Sequence, residues 1–226
     1  ACTYAVNCKL NQALPKRRIF MHQTKTERTI ADQSAEFLVG LYPIYAARGN
    51  QYHGLSHITF LLANLAKVAE DENLTQESIE FLVTCIWLHD AYYDPTAPAG
   101  FNEAMSAGLA KMLPADLRGS VRSAIMATAN HTRHQTVSDD VEIFLDLDLL
   151  GFADPSCLTT AEDALRREYP TISDEQFAEK RCAFLRVMLE RAISTGLYYR
   201  PFHKARALNA LAIQNIQALL DRYNAG

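Results

Sequence analysis

The chain has 226 residues, 49% of them hydrophobic, and a formal net charge of −4. That composition can build one sizeable core and argues against a broad basic surface for nucleic acid. Five cysteines (Cys2, Cys8, Cys85, Cys157 and Cys182), odd in number, widely spaced and without a CxxC pair, argue against a zinc ribbon or disulfide scaffold and fit a reducing, cytoplasmic setting.

The first twenty residues, "ACTYAVNCKLNQALPKRRIF", are polar, turn basic near their end and lack a signal-type apolar stretch. Residues 1–25 therefore read as a flexible N-terminal extension and 26–226 as one helical domain. No apolar run approaches the roughly 20 residues needed to cross a bilayer. From Thr29 onward, good helix formers dominate and period-two alternation is missing, so the predicted fold is all-α, a single-domain helical bundle.

The predicted helices, in chain order, cover 30–48, 52–70, 75–90, 101–112, 116–130, 139–150, 158–168 with 174–194, and 202–223. Pro43 is expected to kink or divide the first. In the second, "YHGLSHI" carries two histidines ahead of the stripe Ile58, Leu61, Leu65 and Val68. His57 falls inside that stripe and His53 at its edge. In the third, Thr75 can cap, and Ile79, Leu82, Val83 and Ile86 make the buried stripe. At 100° per residue Asp90 lands within about 20° of Ile79, on the buried side, with His89 at the edge. Cys85 reads as a small core residue.

The longest loop is predicted at 91–100, and such loops are often functional. Asp94 in it is either a turn residue before Pro95 or a reach to a second metal. Asn102 and Glu103 open the next helix, where an acid is ordinarily a favourable dipole charge. His131 stands at the end of helix 116–130, at the edge of its Val121–Ile125–Thr128 face, followed by His134. In helix 139–150 the stripe is Val141, Phe144 and Leu145, and Asp148, seven after Val141, joins it. Asp146 points roughly 140° away from Val141, towards solvent. Arg166 and Arg167 can grip phosphate or sit solvated near Glu168. Tyr92, Tyr93, Tyr198 and Tyr199 line a pocket or complete the core.

A lone histidine on an apolar face is usually a hydrogen-bonded core residue, and a core-facing Asp at a helix end is often a cap or an ion-pair partner. The order H…HD…D, with His57, Asp90 and Asp148 on core faces and His89 beside one of them, is harder to reach by chance. Unpaired buried carboxylates are costly, and a divalent cation would neutralise them. Two imidazoles and two carboxylates form a mixed N/O donor set.

That order resembles the HD-domain superfamily of helical metal-dependent phosphohydrolases. The likeness is to its branch of small phosphohydrolases of unassigned substrate, at "YHGLSHI", "WLHDAYYD" followed by "NEAMSA", "ATANH", "FLDLDLLG", "REY" and "ARALNAL". The resemblance implies a bundle of the HD-domain type and one or two divalent ions held by His57, His89, Asp90 and Asp148. "YHGLSH" is also similar to the opening metal motif of cyclic-nucleotide phosphodiesterases, which implies that His53 is the proton donor and His57 the ligand. Tyr52, Asp94, Asn102, Glu103, His131 and Arg48 are then expected to support the ligands, hold a second metal or touch substrate. One departure is that the expected arginine stands at Arg48, further from Tyr52, which leaves open whether it contacts an anion.

The expected activity is hydrolysis of a phosphate ester or phosphoanhydride in a small molecule, nucleotides included, by metal-activated water. The metal stays open among manganese, magnesium, zinc, iron, nickel and cobalt. Two alternatives stand beside it: an HD-fold di-iron oxygenase, and a non-catalytic nucleotide-sensing module. No membrane or nucleic-acid partner is expected, and a homo-oligomer is left open.

Overall fold

The computed structural model describes residues 24–49, 51–132, 135–200 and 203–225, leaving out the side chains of 36, 156–157 and 203–206. His134 and residues 1–23 of the expected extension lie outside the described residues, while Thr24 and Lys25, expected in it, cap and open the first helix. All regular structure among the described residues is helical: α1 (Lys25–Ala47), α2 (Leu55–Asp71), α3 (Gln76–Leu88), α4 (Phe101–Gly108), α5 (Ala115–Thr128), α6 (Asp139–Leu149), α7 (Pro155–Glu168), α8 (Asp174–Ser194) and α9 (His203–Ala225). Short 3-10 turns, Leu109–Met112 and Leu150–Ala153, extend α4 and α6. No helix among the described residues is long and apolar enough to cross a membrane.

Local chemistry sets several of the starts. Thr24 and Glu27 form a reciprocal capping box on α1, and Ser173 with Gln176 forms another on α8. Thr75 caps α3 as expected. α1 does not divide at Pro43. Pro43 and Val39, whose carbonyl loses its helical donor, are both exposed, so water can take that bond. α7 starts at Pro155, earlier than expected, because proline suits the first helical position. α7 and α8 are separate helices, broken at "YPTIS".

α3 is the centre of the first core. Its stripe of Ile79, Leu82, Val83 and Ile86 is buried, and Phe81, Thr84, Cys85, Trp87 and Leu88 are buried too. α1, α2, α5 and α6 all pack against it. A second cluster joins Leu149 and Ala153 to Leu185 and Met188 of α8 and Ile216 and Leu219 of α9. α6 contributes to both clusters, so its last turn lies where they meet.

One wheel-based expectation is overturned there. Asp146 does not face solvent: its carboxylate accepts from the backbone N–H of Tyr199 at 2.7 Å and of Arg200 at 3.0 Å. The wheel sees only α6, whereas the segment after α8 returns to cover that face. Burial pushes the Asp146 carboxyl up to about 7, against the two amide donors. Asp146→Ala strands both amides and is expected to lower the unfolding free energy by about 1–3 kcal/mol. Urea unfolding reads this as a lower midpoint at unchanged slope.

Candidate metal centre

Four residues converge from three helices. His57 lies on the first turns of α2, His89 and Asp90 at the end of α3, and Asp148 in the last turn of α6. His57, His89 and Asp90 each present a ligand atom, all within 4.8 Å of one another. Asp148 Oδ1 lies 3.1 Å from His57 Nε2 and 3.6 Å from His89 Nε2. His89 Nε2 and His57 Nε2 lie 3.0 and 3.8 Å from Asp90 Oδ2. Bonds of about 2.1 Å at tetrahedral or octahedral angles separate ligand atoms by roughly 3.0–3.4 Å. The donor set is therefore at the spacing a cation needs.

The hydrogen bonding of His89 points the same way. Its Nδ1 donates to the Ile86 carbonyl at 2.9 Å, which fixes a proton there and leaves Nε2 as the atom on which a cation would replace a proton. Nε2 is fully buried and has no aligned hydrogen-bond partner, despite its closeness to Asp90. An orphaned ring nitrogen amid carboxylate oxygens fits a divalent cation. Electrostatics agrees. Burial works against the charged carboxylate of Asp90, yet His89, His53 and His57 outweigh it and lower its pKa. At Asp148, burial is likewise outweighed, by bonds from His131 and His57 and by the charge of the nearby His89. Burial also disfavours the His89 imidazolium, but Asp90 and Asp148 raise its pKa well above the usual histidine range. These carboxylates require positive charge beside them.

His53 sits next to the cluster but outside it. The second helix starts at Leu55, not at 52, so His53 lies in the turn before it. A Cβ on Gly54 would lie 3.0 Å from the Gln51 carbonyl oxygen and 3.4 Å from that of Gly49, so a side chain here would press on this tight turn. The ring of His53 stacks on Tyr93, with centroids 3.8 Å apart. Glu168, at the end of α7, holds both its Nδ1 at 2.8 Å and its backbone N–H at 2.7 Å. Nε2 has no hydrogen-bond partner among the described residues. Sequence reasoning missed this role of Glu168; "REY" at 167–169 was the only signal.

The remaining expected residues divide. His131 comes to the cluster, its Nε2 2.8 Å from Asp148 Oδ2. Arg191, nearly buried and also missed, donates to the His131 carbonyl and, at 2.6 Å, to that of Leu197. Tyr52 stacks on His57, with centroids 5.1 Å apart. Arg48 is not an anion contact: its guanidinium donates to the backbone carbonyls of His53, Asp90 and Ala91 at 2.6, 2.6 and 2.9 Å. It ties the two histidine-bearing segments together.

Asp94 and Asn102 stay outside the ligand group. Asn102 bonds the backbone of Asp94 twice and staples the loop, while Asp94 Oδ1 accepts from Thr96. Glu103 lies in the first turn of α4, with no hydrogen bond or ion pair among the described residues. Of the tyrosines, Tyr93 lines the cavity, whereas Tyr198 donates to the Leu149 carbonyl and Tyr199 accepts from the Gln135 N–H. Arg166 is held by Asp174 and the carbonyls of Tyr169 and Ile172. Arg167 reaches the cavity wall.

The cluster opens on a cavity of about 890 Å³, lined by His53, His57, His131 and Asp148 at one end and by α7 and α8 beyond. Clefts of roughly 300–1,000 Å³ are the usual size for small-molecule sites. Comparison with protein-family models, curated proteins and solved structures finds no match to this chain.

Proposed function

We propose that the chain is a metal-dependent phosphohydrolase acting on an ester or anhydride of a small phosphorylated molecule. The observation that carries the reading is the meeting of His57, His89, Asp90 and Asp148 at ligand spacing beside a cavity whose wall holds His53. The phosphoryl part rests on the sequence resemblance. A divalent cation bound there supplies a water of lowered pKa and positive charge beside the phosphoryl oxygens.

The chain's own residues do the rest. Asp90 and Asp148 bring negative charge to hold the cation, and the Nδ1–H bond of His89 orients its ring. His53 carries a proton on Nε2 and gives it to the leaving oxygen. Glu168 accepts its Nδ1–H, and Tyr93 fixes the ring plane. Arg48 holds the backbone of both His53 and Asp90, coupling donor to ligand.

Burial disfavours the His53 imidazolium, but Asp90 and Glu168 raise its pKa above the usual value. A donor acts in its protonated form, so activity is present below this raised pKa and is lost as pH climbs through it. Glu168→Gln removes one raising partner. The basic limb of the kcat–pH profile is then expected to move to lower pH while metal content holds. An unmoved limb would remove Glu168 from the mechanism.

The direct test is phosphate release from 4-nitrophenyl phosphate and its bis-ester with manganese, magnesium, zinc, iron, nickel or cobalt added in turn. Turnover that chelation abolishes is expected, and none with any metal contradicts the reading. One observation favours the second reading, a di-iron oxygenase: His131 Nε2 stands 2.8 Å from Asp148 Oδ2, so the mixed His/Asp set has a further donor for iron. Bound iron with dioxygen uptake and no phosphate release would select it.

A further inference from the structure

We propose that the cavity selects an organic phosphate whose apolar body carries a hydrogen-bond acceptor, and that Arg181 reads this acceptor. The inference rests on the phosphohydrolase reading only for which end of the molecule faces the cluster. A phosphoryl group fills only a small part of about 890 Å³. Beyond the histidines the wall is largely carbon, with Phe60, Leu158, Leu165, Ile172 and Phe177 among its residues. The hydroxyl-bearing Ser56, Thr160 and Tyr169 also line the cavity, but a hydrocarbon or aromatic body gains more by burial against the carbon wall. Arg167 and Lys180, both exposed, also contribute to the wall.

Arg181 is a charged part of this wall held by a carboxylate. Its Nε lies 3.0 Å from Glu162 Oε2 and its Nη2 bonds Oε1. Glu162 is 5% exposed and also accepts from the Tyr223 hydroxyl at 2.8 Å. The guanidinium lies over the rings of Phe152 and Phe184, 5.9 and 5.2 Å from their centroids. Fork and rings hold the group rigidly. Nη1 has no hydrogen-bond partner among the described residues, and Arg181 lines the cavity. Glu162 already neutralises the charge, so the donors left on Nη1 suit a neutral oxygen, such as a carbonyl, better than a second phosphate. Nothing in the proposed chemistry at the cluster uses this buried pair.

Calorimetry on the full chain, metal-free and manganese-loaded, tests the inference with methyl to hexyl phosphates, glycerol phosphate and 6-phosphonooxyhexanamide. Affinity is expected to rise roughly threefold per methylene. Hexyl phosphate should bind at least about tenfold tighter than glycerol phosphate, and the amide tighter still. Arg181→Met should erase the advantage of the amide and keep that of hexyl phosphate. The double variant Glu162→Gln, Arg181→Met repeats the test without leaving a buried carboxylate unpaired. Equal binding of glycerol and hexyl phosphates, or an amide advantage that survives in both variants, overturns the inference. Hexyl phosphate bound with this pattern but never hydrolysed upholds it and removes the phosphohydrolase reading. Glycerol phosphate hydrolysed as efficiently as hexyl phosphate does the reverse.

Discussion

His53→Ala is expected to lower kcat by about 10²–10⁴-fold while leaving metal content unchanged, because His53 acts beside the cluster and not in it. Its Nδ1 is engaged by Glu168 and its ring is stacked on Tyr93, which leaves Nε2 as the atom facing the cavity. The loss should shrink for an ester whose leaving group needs no proton, such as 4-nitrophenyl phosphate, compared with an alkyl phosphate. That contrast separates a proton donor from a residue that only shapes the wall. An equal loss on both esters, or a parallel loss of metal, would instead make His53 structural or a ligand.

His57→Ala should weaken metal binding by more than about a hundredfold, since outer partners of ligands alone are worth 10–100-fold. Stability follows by mass action. A metal at a hundred times its Kd adds about 2.7 kcal/mol to wild-type stability, and chelation removes it. The metal-free protein should still fold, because Asp90 and Asp148 keep the charged His89 beside them and Asp148 keeps its bonds to His57 and His131. His57→Ala should show no such difference between metal-loaded and chelated samples. Thermal melts with and without chelator read both effects, and an equal shift in the variant would place the stabilising metal elsewhere.

What was legible in the sequence was whatever one helix decides by itself. The α3 stripe gave the burial of Ile79, Leu82, Val83 and Ile86, and the same periodicity carried Asp90 and Asp148 to the faces where they meet His57. What was illegible depended on chain segments far apart in sequence. Glu168 reaches His53 across 115 residues, and its neighbours in "RRE" read as a solvated helix end. Asp146 looked solvent-facing until the segment after α8 covered it. Arg48 invited an anion because carbonyls from two loops leave no mark in sequence. Arg191, in the last turn of α8, bonds the His131 carbonyl 60 residues away, a contact that nothing local in sequence signals. The start of α2 was misplaced because Gly54, not a side-chain cap, opens it.

The metal content of the purified chain, measured by mass spectrometry for wild type and Asp148→Ala in parallel, tests the central claim most directly. About one or two divalent ions per wild-type chain, lost in the variant, is the expected result for a mixed His/Asp site. A wild-type protein that stays empty after manganese, zinc or iron is added would contradict it, and the carboxylates of Asp90 and Asp148 would then be held by imidazolium charge alone.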